Sequence, residues 1–345
     1  MQFHLNIAGM GAVSPAGLGL DHLLDGTPPR RQEWPTLAPA GPKVRAGCVD
    51  LTLPAWSRWR THPRLRRAGS LTLFLIEAVD EALRRANLPP GINLGLSVAL
   101  GNGVLGFTRK FYEGVARAGA DGANPAWFPE TVFNAPLNHV LGVLGREGPS
   151  SAWIGDASTL AQAWLNAALW LEQGTVDAVI VAAAEEMDEA IMEVTWRAGW
   201  FREAKGHFPA EGAVAFVVTR EGAPQTQGTM QIHSSRPWGR RAAAPQVLAE
   251  VLNAFDPAWP MSPGPMPPAG PARQAWKQRP ARPELPAPSP YLGEAQATGA
   301  GWQLVRILAS APEEKSAFVL PLWGTSHHVA ALGWESFRHC TDGHK

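Results

Sequence analysis

Cysteine is scarce in this 345-residue chain, which contains only Cys48 and Cys340. The two lie far apart and outside any CxxC spacing, so the sequence argues against a disulfide scaffold and against a cysteine-type zinc site. Charge is scarce as well: charged residues make up 17% of the chain, and the formal net charge is +0. Because a nucleic-acid-binding surface needs net positive charge, nucleic acid is not an expected partner.

Long apolar runs are also missing. No segment reaches the roughly 18–20 consecutive apolar residues that a membrane span requires. The first residues lack a charged region followed by an apolar one, so the sequence predicts neither a membrane span nor a signal peptide. We therefore expect a cytoplasmic protein. Hydrophobic residues make up 45% of the chain, enough for the core of one large domain or of two closely joined ones.

Predicted strands and helices alternate along the chain, which is typical of a layered α/β protein. Strands are predicted at 3–13, 94–100, 151–154, 176–184, 214–218, 230–235 and 317–323. Helices are predicted at 66–87, 130–145, about 157–172, 244–255 and roughly 296–309. Two stretches are predicted to be irregular. Residues 28–64 form a surface excursion, and residues 257–290 form an extended loop that holds twelve of the 32 prolines.

Residues 148–186 carry the most information about function. They read as a strand, a tight turn, a helix, a second turn and a second strand. An α/β fold with this strand–turn–helix order would display a nucleophile at the tight turn. The central residue of that turn is Ala157. Asp156 is predicted to be a helix N-cap, and capping is also the commoner role for the hydroxyl of Ser158. The sequence therefore presents a catalytic-looking frame without a catalytic side chain.

Six segments, in order, resemble the β-ketoacyl synthases of the thiolase-like superfamily. They are IAGMGAVSPAG (7–17), the helix at 66–87, NAPLNHVLGVLGREGPS (134–150), NAALWLEQGTVDAVIVAAAEE (166–186), HFPAEGAVAFVV (207–218) and GTSHHVAAL (324–332). Residues 1–220 fit well and residues 291–334 fit loosely. The resemblance implies a thiolase-like α-β-α-β-α fold. It also implies an N-terminal half at 1–225 and a reduced C-terminal half at 226–345 that contains the Pro-rich loop 257–290.

The departures from this family matter more than the matches. The resemblance places the family's nucleophilic cysteine at Ala157, and a methyl group cannot attack a thioester. Asp156 beside it would occupy the positive end of the following helix and repel an oxyanion. The family's two histidines are missing too: the stretch 257–272 offers none, and Glu294 stands where a Gly-His turn is expected. Thr325 takes roughly the place of a phenylalanine whose backbone belongs to the oxyanion hole.

The nucleophile, both histidines and the oxyanion-hole residue are all altered. Their joint loss implies, by resemblance, a chain-length-factor subunit, which is a ketosynthase homologue without catalytic activity of its own. The resemblance implies that it forms a heterodimer with an active β-ketoacyl synthase and shapes the acyl tunnel in polyketide or fatty-acid-like biosynthesis. The shortened second half is similar to compact versions from aryl polyene pathways. An acyl carrier protein is a further expected partner. Two alternatives stay open: an acyltransferase or decarboxylase that uses Ser158 on carrier-protein thioesters, and a ketosynthase-derived scaffold.

Four residues are candidates for the tunnel or the interface. The bulky side chains of Trp153 and Trp164 flank the tight turn, where they either floor an acyl tunnel or pack in the core. The resemblance places Phe133 and His139 near the dimer interface. All four assignments depend on tertiary contacts that local sequence does not record.

No cofactor and no metal are expected. The turns Gly9-Met10-Gly11 and Gly101-Asn102-Gly103 do not meet the dinucleotide fingerprint. His327 and His328 are adjacent on a predicted strand and point to opposite faces, so they cannot share one ligand site. Glu185 and Glu211 are predicted to be structural acids.

Overall fold

The computed structural model describes residues 1–34, 44–198, 207–220, 226–234, 243–262, 271–287, 290–310, 316–324 and 328–336. Its strands are β1 (Gln2–Ser14), β2 (Gly17–Leu18), β3 (Arg31–Trp34), β4 (Val44–Gly47), β5 (Leu94–Leu100), β6 (Ser150–Ile154), β7 (Ala178–Glu185), β8 (Gly212–Thr219), β9 (Thr226–Ser234), β10 (Ala317–Trp323) and β11 (Val329–Ser336). Within the described residues, one mixed sheet has the order β10-β11-β9-β1-β8-β7-β5-β6, with β2 added to β1. β5 is parallel to β6 and to β7, and the remaining neighbours are antiparallel.

The helices connect and cover these strands. They are α1 (Leu20–Leu24), α2 (Ser57–Arg60), α3 (Ser70–Ala86), α4 (Leu105–Ala118), α5 (Ala135–Leu144), α6 (Thr159–Glu172), α7 (Glu189–Arg197), α8 (Ala244–Leu252), α9 (Pro271–Lys277) and α10 (Gln296–Ser310). The helix predicted at 130–145 begins later than expected, because a 3-10 turn at Phe128–Thr131 precedes it. Pro136 lies in its first turn, where a missing N–H costs no hydrogen bond.

A period of two divides each central strand between two cores. In β7, Val179 and Val181 face the same cluster as α6, whereas Ile180 and Ala182 face the cluster of α3. This is the alternation of side chains that a pleated strand imposes. Because both faces are apolar and buried, the strand reads in the sequence as a continuous hydrophobic run.

The packed clusters define five layers. α3 and α5 cover one face of the first-half strands. α6 and α10 lie in the middle, between those strands and the inner face of β9, β10 and β11. α8 and α9 cover the outer face of β10 and β11. The arrangement is the predicted α-β-α-β-α fold, which is therefore confirmed.

The far edge of β10 is protected by the Pro-rich segment. Met261 forms isolated parallel bridges with Val319 and Glu284. Ser262 N donates to Val319 O at 2.9 Å, and Val319 N donates to Pro260 O at 2.9 Å. The backbone N–H and C=O of Val319, in the middle of this edge strand, are thereby satisfied without another full strand.

Two expectations about irregular segments need correction. Residues 28–64 are not only a surface excursion, because β3 and β4 form a hairpin there and the indoles of Trp56 and Trp59 are buried in the α3 core. Burial of these indole rings depends on tertiary packing, so the local spacing of apolar residues does not predict it. The Pro-rich stretch 257–290 contains the helix α9, whose Ala275 and Trp276 pack beside α8.

Candidate functional site

The turn between β6 and α6 is built by the parallel pairing of β6 with β5. Gly155 N donates to Leu100 O at 3.0 Å, so the chain leaves the sheet directly after Ile154. Thr159 N then donates to Asp156 O at 2.9 Å, which begins the helical winding. The turn is therefore a strand-to-helix elbow at the end of a sheet strand.

Ala157 occupies the centre of this elbow. Its side chain is 2% exposed and belongs to the buried residues of the protein. A methyl group has neither a lone pair nor a proton to transfer, so it supplies neither a nucleophile nor an acid or base. The structure places Ala157 in the turn between β6 and α6, where its methyl group is buried. Its assignment to the nucleophile position stays a prediction.

Asp156 caps the backbone just ahead of α6 through a local turn, whereas the N-cap residue of the helix is Ser158, which makes no side-chain capping bond. The predicted N-cap role of Asp156 is therefore wrong. Its Oδ1 accepts hydrogen bonds from Ser158 N at 3.0 Å and from Ser158 Oγ at 2.6 Å. An aspartate that bonds the residue two positions ahead satisfies a backbone donor that the first helical turn leaves free. Ser158 is therefore a partner of this cap, with its hydroxyl proton directed at a carboxylate oxygen.

The Asp156 carboxylate also lies against the end of β10. A Cβ at Gly324 would lie 2.5 Å from Oδ2 and 2.6 Å from Oδ1 of Asp156. Only glycine leaves room for this approach, so the buried carboxylate and the Gly324 backbone are in close contact. Gly324 N donates to His328 O at 2.8 Å. Two residues assigned from the sequence, Thr325 and His327, lie outside the described residues.

Glu185 and Glu211 tie loops to the sheet. Glu185 Oε2 accepts from Gly101 N at 3.0 Å, and Asn102 donates to its other oxygen. Glu211 accepts from Val49 N and from Met187 N, each at 3.1 Å. Burial is the main cause that raises the pKa of Glu185 to about 8 and that of Glu211 to about 7. Because backbone and amide donors hold these oxygens, the geometry is that of structural acids.

Glu186 has the same character as Glu185, its neighbour. Its two oxygens accept from Gly106 N at 3.0 Å and from Ser70 Oγ at 2.8 Å. Burial raises the pKa of this carboxyl. Glu186 joins the end of β7 to the starts of α3 and α4, whereas Glu185 holds the turn after β5. The sequence predicted structural roles for Glu185 and Glu211 but not for Glu186.

Glu294 lies in a turn fixed by the segment before β8. Its N donates to Phe208 O at 2.7 Å, and its O accepts from Ala210 N at 2.9 Å. Burial raises the pKa of its carboxyl to about 8, opposed by a hydrogen bond from the backbone of Gln296. Burial raises the pKa of Tyr291 too, and the charge of Glu294 adds to that shift. A carboxyl thus occupies the turn that the resemblance assigns to a histidine.

The four tunnel and interface candidates fall in different surroundings. Phe133 is 48% exposed and lies over the turn after β5, because a Cβ at Gly103 would lie 2.4 Å from its ring. His139 Nε2 lies 2.8 Å from Glu130 Oε2 in a half-buried pair. These two residues flank the side of the sheet where β6 ends it, and their predicted interface role stays a prediction.

The two tryptophans differ in burial. Trp153 is half-buried on β6, and its Nε1 donates to Ser97 Oγ at 3.2 Å. Trp164 is fully buried, and its ring centroid lies 5.3 Å from that of Phe216. Packing in the central layer accounts for Trp164. Trp153 keeps an accessible face beside the elbow, so it is the better placed of the two for a tunnel wall.

Five exposed apolar side chains on α4, in the segment before α5 and at the end of β6 are here together called the open-edge surface. Its exposed side chains are Tyr112, Phe128, Val132, Phe133 and Ile154. The tilted rings of Phe128 and Phe111 are in contact with centroids 5.6 Å apart, which joins α4 to this surface. Among the residues that the structure describes, no segment hydrogen-bonds to the outer edge of β6. The sequence pointed only to Phe133, because exposure of the other four follows from tertiary packing.

A second surface, here called the basic patch, lies in the segment before α3. Arg60, Arg64, Arg66 and Arg67 are all exposed there. In the described part of the chain, none of the four forms a salt bridge, whereas neighbouring Arg58 pairs with Glu77 and Asp80. The patch is a local excess of positive charge on a chain whose formal net charge is +0.

Comparison with known proteins identifies the fold. No protein-family model matches the sequence, and no curated protein matches it significantly. The structure of the ishigamide ketosynthase/chain length factor matches with a TM-score of 0.78 at 18% identity, over 97% of this chain and 100% of that one. A chain from a type II polyketide synthase acyl-carrier protein in complex with its ketosynthase matches with 0.73 at 15% identity, over 98% and 100%.

A β-ketoacyl synthase from Burkholderia phymatum matches as well, with a TM-score of 0.74 at 14% identity over 97% of this chain and 100% of that one. The chain therefore has the fold of ketosynthases and chain length factors. The predicted resemblance to β-ketoacyl synthases is confirmed at the level of the fold. No helix in the described ranges is long and apolar enough to cross a membrane.

Proposed function

We propose that the chain is a non-catalytic, ketosynthase-like subunit of the chain-length-factor type, which pairs with an active β-ketoacyl synthase. The observation that carries this proposal is the elbow itself. Ala157 is buried there with only a methyl group, and the Asp156 carboxylate is held against Gly324 beside it. The central position of the elbow lacks a nucleophile, and a carboxylate lies near the place where an oxyanion would form, so acyl transfer through that position has no chemical basis.

Glu294, at a second position assigned from the resemblance, bears on the same conclusion. Stabilising an enolate requires a hydrogen-bond donor or a positive charge at the developing oxyanion. With its pKa raised to about 8, this carboxyl holds a proton near neutral pH and can donate one neutral hydrogen bond, but it supplies no positive charge in either protonation state. The turn keeps its backbone hydrogen bonds to Phe208 and Ala210, so the frame is retained while the functional group has changed.

The partner ketosynthase is proposed to bind along the outer edge of β6. A strand with free backbone groups is a template for pairing with a second chain, and an exposed apolar cluster marks an interaction surface. The open-edge surface combines both features, with Ile154 on the strand itself and Phe133 beside it. Two such edges joined side by side give one continuous sheet across a heterodimer.

Co-expression with a ketosynthase from the same gene neighbourhood tests this proposal. We expect a one-to-one complex by size-exclusion chromatography with light scattering, and condensation activity that depends on the partner's nucleophile. The proposal fails if the purified chain stays separate from every ketosynthase in that neighbourhood.

A variant of the elbow gives an internal check. Ala157→Cys restores a thiol, yet Asp156 and Glu294 remain. We expect the isolated variant to form no acyl adduct with an acyl thioester in intact mass spectrometry. A stoichiometric adduct would show that the elbow still has working machinery around Ala157.

An acyl carrier protein is proposed as the second partner, through the basic patch. Exposed arginines without salt-bridge partners are suited to an acidic protein surface, and such steering weakens with salt. The double variant Arg64→Glu, Arg67→Glu should weaken carrier-protein binding to the complex about tenfold or more. The double variant Arg220→Glu, Lys277→Glu, at two exposed cations outside the patch, is the matched control. Equal binding by both variants would contradict the assignment.

The complex is proposed to set product length, as in an aryl polyene type of pathway. Trp153 is the half-buried aromatic residue nearest to the elbow, so Trp153→Ala in the complex should lengthen the products, measured by mass spectrometry of the acyl chains. Trp164→Ala, in the packed core, should lower stability instead. Unchanged product length with Trp153→Ala favours the scaffold interpretation.

One observation favours the alternative of catalysis by Ser158. Its hydroxyl lies 2.6 Å from a buried carboxylate oxygen, as a nucleophile would lie from a base. The same oxygen also accepts from Ser158 N, which makes the contact a local capping turn. Acyl transfer by the isolated chain that Ser158→Ala abolishes would establish the alternative, and absence of an acyl-enzyme adduct would count against it.

A further inference from the structure

A cavity of about 820 Å³ lies beside β10. Its wall is mainly apolar and includes Leu24, Trp259, Leu285, Ile307 and Phe318. Concave, mostly apolar cavities of this size with a few polar groups are the usual binding sites of small molecules. Nothing in the proposed function uses this cavity.

The cavity is separate from the elbow. Ala317, at the start of β10, lines the cavity, whereas Gly324, directly after the strand, contacts Asp156. At about 3.3 Å per residue, β10 places these two points roughly 20 Å apart. A ligand in the cavity therefore occupies a site of its own.

Arg306 is the charged residue in the cavity wall. Its Nε donates to Leu23 O and its Nη1 to Pro290 O, each at 2.9 Å, so the guanidinium is held in one orientation. In the described part of the chain, no carboxylate forms a salt bridge with Arg306. Its Nη2 is enclosed by protein atoms without a hydrogen-bond partner, so a ligand in the cavity meets the guanidinium from the side that Nη2 does not occupy. Burial lowers the pKa of this group. A partly desolvated cation without a counter-charge is costly unless a ligand supplies the negative charge.

The other buried polar groups of the wall are occupied with each other. Gln303 Nε2 donates to Ser262 Oγ, and both side chains are almost fully buried. Arg306 is thus the group left to recognise a ligand. We propose that the cavity binds a small amphipathic carboxylate, with its apolar body against Ile307 and Phe318 and its carboxylate at Arg306.

Decanoate and its neutral counterpart decanol are the probes, titrated into the purified full chain by isothermal titration calorimetry. We expect one decanoate per chain and decanol binding that is weaker by about tenfold or more. Arg306→Gln should abolish this preference, and Arg84→Gln, at an exposed position of α3, should leave it unchanged. Ala309→Trp, at an exposed position of α10 that lines the cavity, should weaken both probes about tenfold by filling the space.

Three results would overturn the proposal. The first is absence of binding by either probe, and the second is equal affinity of the wild-type chain for both. The third is decanoate binding that Ala309→Trp leaves unchanged, which would place the ligand elsewhere. If Arg306→Gln fails to fold by circular dichroism, the ratio of the two probes in the wild-type chain and the Ala309→Trp result decide the matter.

Discussion

The two ends of the sheet differ in how their edge strands are covered. Along β10, the segment Pro260–Ser262 forms backbone hydrogen bonds to Val319, and Trp259 and Trp276 cover the outer face. Along β6, no described segment forms such bonds, and Ile154 stays exposed. Since an unprotected edge promotes aggregation, a chain that covers one edge and leaves the other bare supports the proposal that β6 pairs with a partner.

The largest effect is expected where the cover of β10 is removed. Met261 is fully buried and bridges to β10, so Met261→Asp puts an unpaired charge into the core. We expect a loss of about 3–5 kcal/mol in the free energy of unfolding, measured by urea denaturation. Met261→Leu keeps the volume and should cost less than about 1.5 kcal/mol. Similar losses for both variants would mean that burial at Met261 does not protect this edge.

The next effect concerns the bare edge. Ile154→Asp should weaken binding of the partner ketosynthase by about 100-fold, roughly 2.7 kcal/mol, while the unfolding free energy changes by less than about 0.5 kcal/mol. Leu24→Asp is the control, because Leu24 is 44% exposed beside the covered edge and Ile154 is 41% exposed. Biolayer interferometry measures both. Equal weakening by the two variants would remove the distinction between the edges.

A smaller effect is expected where the end of β10 contacts the elbow after β6. The Cβ of Gly324→Ala would meet the Asp156 carboxylate, so this variant should cost about 1–3 kcal/mol of stability. In an Asp156→Ala background the clash is gone, and the same substitution should cost close to nothing. Chemical denaturation of the four proteins gives the coupling energy. A cost independent of the residue at 156 would contradict the close contact.

The smallest effect is a pH dependence at Glu294. Burial raises the pKa of its carboxyl from 4.5 to about 8. Between these values the folded chain holds a proton that the unfolded chain has released. The stability from this group is therefore full below pH 4.5 and is lost as the pH rises through about 8.

Glu294→Gln cannot ionise, so it should remove part of that decline. We expect roughly 1–2 kcal/mol between about pH 5 and about pH 8.5, less than the full linkage value because part of the side chain stays accessible. Denaturation at both pH values measures the difference, and the exposed Glu172→Gln is the control. An unchanged decline in Glu294→Gln would assign the pH dependence to other buried carboxyls.

Much of the fold could be predicted because its periodic segments are strongly apolar. β5 and β10 have the predicted bounds, 94–100 and 317–323, since continuous apolar runs there end at clear turn residues. α4 was not predicted. Two of its 14 residues are glycines, and no residue of the helix is buried. Neither helix propensity nor the spacing of apolar residues therefore predicted it.

Only the part of the candidate site that lies within one continuous segment of the chain could be predicted from the sequence. The elbow and Ala157 follow from one strand–turn–helix pattern. The contact of Asp156 with Gly324 joins distant parts of the chain, and the exposure of Ile154 depends on what the rest of the fold leaves uncovered. Such relations are tertiary, so local spacing does not record them.

The position of β1 inside the sheet has a consequence for the synthesis of the protein. β1 pairs with β8 through Ile7 and Val218, and with β9 through Phe3 and Met230. Both partner strands are synthesised long after β1, so the apolar residues of β1 remain unpaired while the intervening segments are translated. Folding that depends on such distant pairings is slow and prone to aggregation. Recovery of this protein from cells should therefore respond strongly to translation rate, growth temperature and the supply of chaperones.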